Sequence, residues 1–153
     1  MKVAAFSRLQ IESGMAGFNP ENTVVFRFYE SVNSSRSEKD DVYDKYAGGY
    51  ISLIRDLDFS EPENNITGYE DYLPEADVLA GSIFREFLRG RDIIFQCEDG
   101  IRISGAFATA TIEIFRAFRD DIYGECTEGY NEFAYKKIYD MLARLKRDEY
   151  TIL

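Results

Sequence analysis

The chain of 153 residues is long enough for a single domain, 1–153, with a sizeable hydrophobic core. Its content of 45% hydrophobic and 15% aromatic residues excludes an intrinsically disordered protein. The net charge of −10 argues against direct binding to nucleic acid or to an anionic membrane, and the absence of His excludes His-based triads and His-ligated metals.

Localisation and bound groups are also constrained by the sequence. No apolar run approaches membrane-spanning length, and the start at Met1 lacks the apolar region of a signal peptide. Cys97 and Cys126 are too few and too far apart for a disulfide framework or a zinc pattern. We therefore expect a cytoplasmic protein without metal or cofactor.

The first half of the chain alternates predicted strands with polar connections. β-branched and aromatic residues predict strands at 2–7, 23–30 and 50–56. A short helix or turn at 8–15 should end at Gly14 and Gly17. Segment 31–49 is predicted to be a loop insertion, because its first part is rich in Ser and charge.

The second half is predicted to be mostly helical. A helix at 74–88 should end before Gly90, and it places apolar residues on one face: Leu79, Ile83 and Phe87, with Phe84 and Leu88 beside them. A buried strand at 93–95 leads through a turn into a helix that runs without Gly or Pro from Ala106 and faces the core with Phe107, Ala110, Ile114 and Phe118. The last helix should be capped by Asn131 and reach about residue 147. This alternation predicts an α/β fold with a mostly parallel sheet.

The chemistry is concentrated between the strand at 93–95 and the helix that follows. A strand, a tight loop and a helix N-terminus direct several backbone N–H groups to one place, where an anion is favoured. Cys97 lies at the strand end, facing those groups. A Cys in this position is typical of a nucleophilic thiolate.

Segment 96–115, QCEDGIRISGAFATATIEIF, resembles the signature of the protein tyrosine and dual-specificity phosphatase superfamily, in particular small bacterial and phage tyrosine phosphatase-like proteins. That signature is His-Cys, five residues, Arg, Ser or Thr, and an Ala-rich helix. The resemblance implies a three-layer fold, with a central sheet flanked by helices, and a nucleophilic Cys97 held by loop amides and by the Ser104 hydroxyl. It also implies a site for a phosphate or sulfate ion at Glu98, Asp99, Gly100, Ile101, Arg102, Ile103 and Ser104.

Two positions depart from the family pattern. Gln96 stands in place of the His, and Ile103 stands in place of the Arg, with Arg102 one residue earlier. One residue along a helix turns a side chain by about 100°, so Arg102 should not point where the family's Arg points. Loss of one charge-stabilising donor typically lowers a rate about 100-fold to 1000-fold. Turnover should therefore be impaired or absent.

Asp56 and Asp58 are the candidates for a general acid, because the family's acid lies on a loop some way before the Cys. An equally good interpretation places both in an acidic surface loop. Eight acidic residues and no Lys or Arg lie between Asp56 and Phe84. That run either solubilises the surface or mimics nucleic-acid charge.

Three hypotheses follow for the function. The first is a pseudophosphatase that acts as a binding or regulatory module on a protein partner. The second is a weak phosphatase for phosphotyrosine or a small phosphoester, with Cys97 and Asp56 in the catalytic roles. The third is an acidic, phage-encoded inhibitor of a nucleic-acid-binding protein, which would depend on Glu61, Glu63, Glu70 and Asp71.

Overall fold

The computed structural model of the protein describes residues 1–14, 17–30, 40–60 and 68–152. Within these ranges the chain forms one four-stranded sheet in the order β1-β4-β2-β3, and every pair of neighbouring strands is parallel. The strands are β1 (Val3–Ser7), β2 (Thr23–Tyr29), β3 (Gly48–Leu53) and β4 (Asp92–Cys97). The prediction of an α/β fold with a mostly parallel sheet is confirmed.

Helices cover both faces of the sheet. The α-helices are α1 (Arg8–Glu12), α2 (Ala76–Leu88), α3 (Ile103–Arg116) and α4 (Glu132–Ile152), and short 3₁₀ helices lie at Pro20–Asn22, Asp40–Lys45 and Tyr69–Asp71. None of the described helices combines the length and the apolar content that a bilayer crossing requires.

The two faces bury different amounts of apolar surface. On one face, α2, α3 and α4 form the main core around the contacting aromatic rings of Phe26, Phe28, Phe95 and Phe107. On the other face, Ile11 of α1 and Tyr46 pack against Val25 and Ile94 of the sheet. The second helical layer is therefore thin, while α3 is almost entirely buried against the sheet.

Several predicted boundaries need correction. The chain at 40–45 is a 3₁₀ helix whose Val42 and Tyr43 pack on the smaller core, so part of the predicted loop 31–49 is ordered; residues 31–39 lie outside the described ranges. The third strand ends at Leu53 and leaves Asp56 in the loop beyond it. Leu88 is 62% exposed because it falls off the buried stripe of α2. Helix α3 begins at Ile103, three residues before the predicted start.

Two predicted helix ends are confirmed. Gly90 follows α2 with φ of 72°, and its N–H donates to the carbonyl of Phe87. Asn131 caps α4, since its Oδ1 accepts from the N–H groups of Phe133 and Ala134. The last helix extends to Ile152, beyond the predicted end.

The parallel arrangement brings the functional loops together. The carboxyl ends of neighbouring parallel strands lie at the same edge of a sheet. Strand β2 lies between β4 and β3, so the segments that follow these three strands meet at that edge. Those segments carry Glu30, Asp56 and the loop after Cys97.

Candidate functional site

The loop after β4 is tightly packed against the end of β1. Gly100 adopts φ of 73°, a left-handed conformation that residues with a side chain rarely take. A Cβ at this position would lie 2.5 Å from the backbone nitrogen of Ser7. Only Gly therefore allows the loop to turn here and return the chain to the start of α3.

Cys97 is the last residue of β4 and is buried, with 7% of its surface exposed. Its Sγ lies 3.1 Å from the Ser104 hydroxyl oxygen and accepts from the Ser104 N–H at 3.4 Å. It also lies 3.2 Å from Oδ1 of Asp99. The structure thus places the Ser104 hydroxyl against the thiol.

Asp99 turns its carboxylate into the loop. Its Oδ1 accepts from the backbone N–H groups of Ile101 at 2.8 Å and Arg102 at 3.1 Å. Burial acts to raise the pKa of the Asp99 carboxyl, but these two hydrogen bonds, the thiol contact and the charge of Arg102 outweigh it and lower the pKa. Two of the amides predicted to hold an external anion are therefore engaged by the chain's own carboxylate.

Arg102 directs its guanidinium to Asp56. The Nε donates to Oδ2 at 3.1 Å and Nη2 donates to Oδ1 at 3.2 Å, while Nη1 donates to the carbonyl of Gly129 at 3.1 Å. The hydrogen bonds to Asp56 raise the pKa of Arg102 and outweigh the opposing effect of burial. A two-point pair of this kind fixes the orientation of the guanidinium as well as its position.

Asn131 joins the Asp56–Arg102 pair to the start of α4. The sequence predicted Asn131 only as the cap of this helix and did not indicate the second role. Its Nδ2 donates to Oδ1 of Asp56 at 2.6 Å and to the carbonyl of Leu57 at 3.0 Å. Its backbone N–H donates to the carbonyl of Arg102 at 2.9 Å. The side chain is 1% exposed, so Asn131 holds both loops in place from inside the protein.

A cavity of about 410 Å³ opens beside the thiol. It is lined by Phe28, Tyr29, Glu30, Ile54, Asp56, Cys97, Glu98, Asp99, Arg102 and Ile103. Asp56 thus shares the cavity with Cys97. Ile103 forms part of the wall, but its side chain has no hydrogen-bond donor to offer an anion.

Asp58, the second candidate acid, belongs to a different surface. It is among the residues that line a neighbouring polar cavity of about 520 Å³, to which Arg102 also contributes. Hydrogen bonds from the hydroxyl and backbone N–H of Ser60 lower the pKa of the Asp58 carboxyl. A carboxyl whose ionised form is favoured in this way is poorly suited to donate a proton.

The remaining candidate features stay outside this site. Glu70 and Asp71 are exposed in a 3₁₀ helix, whereas Glu61 and Glu63 lie outside the described residues. Within the described ranges, no three His, Cys, Asp or Glu side chains are placed to hold a metal ion. Cys126 is an exposed free thiol, and burial of part of its surface raises its pKa.

Comparison of the chain with protein-family models, with curated proteins and with solved structures finds no match. The arrangement around Cys97 is therefore the ground for a functional assignment.

Proposed function

We propose that the protein is a phosphatase-like module without turnover, a pseudophosphatase that acts by binding a protein partner. One observation carries the proposal: the carboxylate of Asp99 accepts the hydrogen bonds of the Ile101 and Arg102 amides, which a phosphate would need. A loop whose own carboxylate occupies two of its amides lacks these two donors for an incoming anion.

The charges around the thiol also disfavour phosphoryl transfer. Catalysis of this reaction depends on donors aimed at the oxygens where charge develops. Arg102 is paired with Asp56, and the side chain of Ile103 has no donor. Glu98 and Asp99 follow the thiol directly, and their negative charges repel a phosphate dianion.

A second candidate function is a weak cysteine-dependent phosphatase. It is favoured by the contact of Ser104 with the Cys97 thiol and by the presence of Asp56 in the same cavity. In this case Asp99 would leave the loop amides, and Arg102 would leave Asp56, before each turnover. Hydrolysis would then be slow, because these interactions would have to break before phosphate could bind.

The proposal is tested with p-nitrophenyl phosphate and with inorganic phosphate. We expect no hydrolysis above that of Cys97→Ser, and no phosphate-induced shifts of the Ile101 and Arg102 amide signals in NMR spectra of the ¹⁵N-labelled protein. Asp99→Ala should free these amides and allow phosphate to shift their signals. Asp99→Asn is the matched control, because its Oδ1 can keep both hydrogen bonds.

Two results would overturn the proposal. One is hydrolysis by the wild-type protein that disappears in Cys97→Ser. The other is binding of phosphate to the wild-type loop as tightly as to Asp99→Ala. Either would show that the loop accepts an anion although Asp99 is present.

A further inference from the structure

The cavity beside Cys97 has the wrong charge for a phosphate and the right charge for a cation. Among the described residues, four carboxylates line it, those of Glu30, Asp56, Glu98 and Asp99, against the single guanidinium of Arg102. That guanidinium is already neutralised by Asp56. We propose that the cavity binds a basic side chain, Lys or Arg, presented by a protein partner. The inference rests on the proposed function, since it names the chemistry of the partner.

Glu30 and Glu98 are the carboxylates best placed to receive such a cation. Glu30 is exposed, and its Oε1 accepts from the backbone N–H of Asp56 at 3.1 Å. The Glu98 side chain is 78% exposed and lies 3.8 Å from Arg8, which also pairs with Glu12. A carboxylate has about four acceptor positions, so both side chains can accept further hydrogen bonds.

The walls of the cavity suit the apolar part of a basic side chain. Phe28, Ile54 and Ile103 are buried residues that contribute to its lining. Lys and Arg place their methylene groups along apolar surface while the charged end stays near polar groups and water. A phosphate group has no such stem, and the same carboxylates repel it.

The neighbouring polar cavity extends the negative surface beyond Arg102. Asp58, Glu128 and Glu132 line it, and neither Glu128 nor Glu132 forms an ion pair with a described residue. Two acidic cavities on either side of Arg102 favour a partner segment with more than one basic residue. A peptide chain meets this requirement better than a free amino acid does.

The experiment uses the peptides Gly-Arg-Gly-Arg-Gly, Gly-Lys-Gly-Lys-Gly and Gly-Gln-Gly-Gln-Gly, and a phosphotyrosine peptide of the same length. Amide shifts of the ¹⁵N-labelled full chain locate each peptide and give its dissociation constant. The two basic peptides should shift the amides of Glu30, Glu98 and Arg102, and their binding should weaken with added salt. The Gln and phosphotyrosine peptides should leave these signals in place.

Charge-neutralising variants test the assignment to this cavity. Glu30→Gln and Glu98→Gln should each weaken binding of the basic peptides about twofold to fivefold, the range expected for an exposed ion pair. Glu125→Gln is the matched control, because it removes one charge from an exposed residue that lines neither acidic cavity. It should leave the affinity unchanged.

The inference is overturned if the basic peptides cause no shifts around the cavity, if the phosphotyrosine peptide binds there instead, or if Glu125→Gln weakens binding as much as Glu98→Gln does. Failure of the inference is distinct from failure of the proposed function. If the basic peptides do not bind and no hydrolysis is found, only the inference of a basic partner is contradicted. If hydrolysis that depends on Cys97 is found, the proposed function itself is contradicted.

Discussion

The carboxylate of Asp56 holds the guanidinium of Arg102 at two points, with Oδ2 3.1 Å from Nε and Oδ1 3.2 Å from Nη2. The two residues are 46 positions apart, in the loops that follow β3 and β4. The pair commits the guanidinium that the described residues contribute to the lining of the Cys97 cavity to an internal partner. The electrostatic character of the cavity is therefore decided by a contact between two loops.

Replacement of Asp56 should weaken the junction between these loops. We expect Asp56→Asn to lower the free energy of unfolding by about 1 kcal/mol. A two-point ion pair with partly exposed side chains contributes only slightly more stability than an ordinary surface ion pair. Urea denaturation measures the change. Asp58→Asn, two positions away, should cost less than about 0.5 kcal/mol, because its Oδ1 can keep the hydrogen bonds from Ser60. Equal losses for the two variants would contradict a specific role of the Asp56–Arg102 pair.

The Asp99 carboxyl should make stability sensitive to acid. Its pKa is lower in the folded protein than in the unfolded chain, so the unfolded chain takes up a proton first as the pH falls. The stabilisation by this group is complete above about pH 4, the ordinary pKa of Asp, and is lost as the pH falls through the lower pKa of the folded protein. Denaturation curves of wild type and Asp99→Asn between pH 3 and 7 should therefore converge at the acid end. A difference that stays constant over this range would contradict the prediction.

Gly100 should tolerate no side chain. Gly100→Ala combines a positive φ with a Cβ placed 2.5 Å from the Ser7 backbone nitrogen, and we expect a loss of about 3 kcal/mol in unfolding free energy. Gly129→Ala is the control, because Gly129 has a similar φ of 79°. The nearest atom to a Cβ at this position would be Cγ2 of Ile101, at 3.7 Å, which is an ordinary van der Waals distance. Gly129→Ala should cost only about 1 kcal/mol. Thermal or urea unfolding compares the two, and equal losses would show that the contact with β1 is unimportant.

Much of the fold follows from local sequence signals. β-branched and aromatic runs predicted the strands around Val25 and Ile94, and the cap at Asn131 and the end of α2 at Gly90 were predicted from residue types that suit those positions. These features depend on neighbours within a few positions. The 3₁₀ helix at 40–45 was missed because its Val42 and Tyr43 are stabilised by packing against the sheet, which a polar local sequence does not reveal.

The sequence by itself determined that a thiol stands at a strand end and that position 103 carries Ile instead of Arg. Only the tertiary structure decided where Arg102 points and which carboxylates surround Cys97, because Asp56, Glu30 and Asn131 come from other segments of the chain. The physical reason is the strand order: with β2 between β4 and β3, three separate loops meet at one edge of the sheet, and their charges act on one another there.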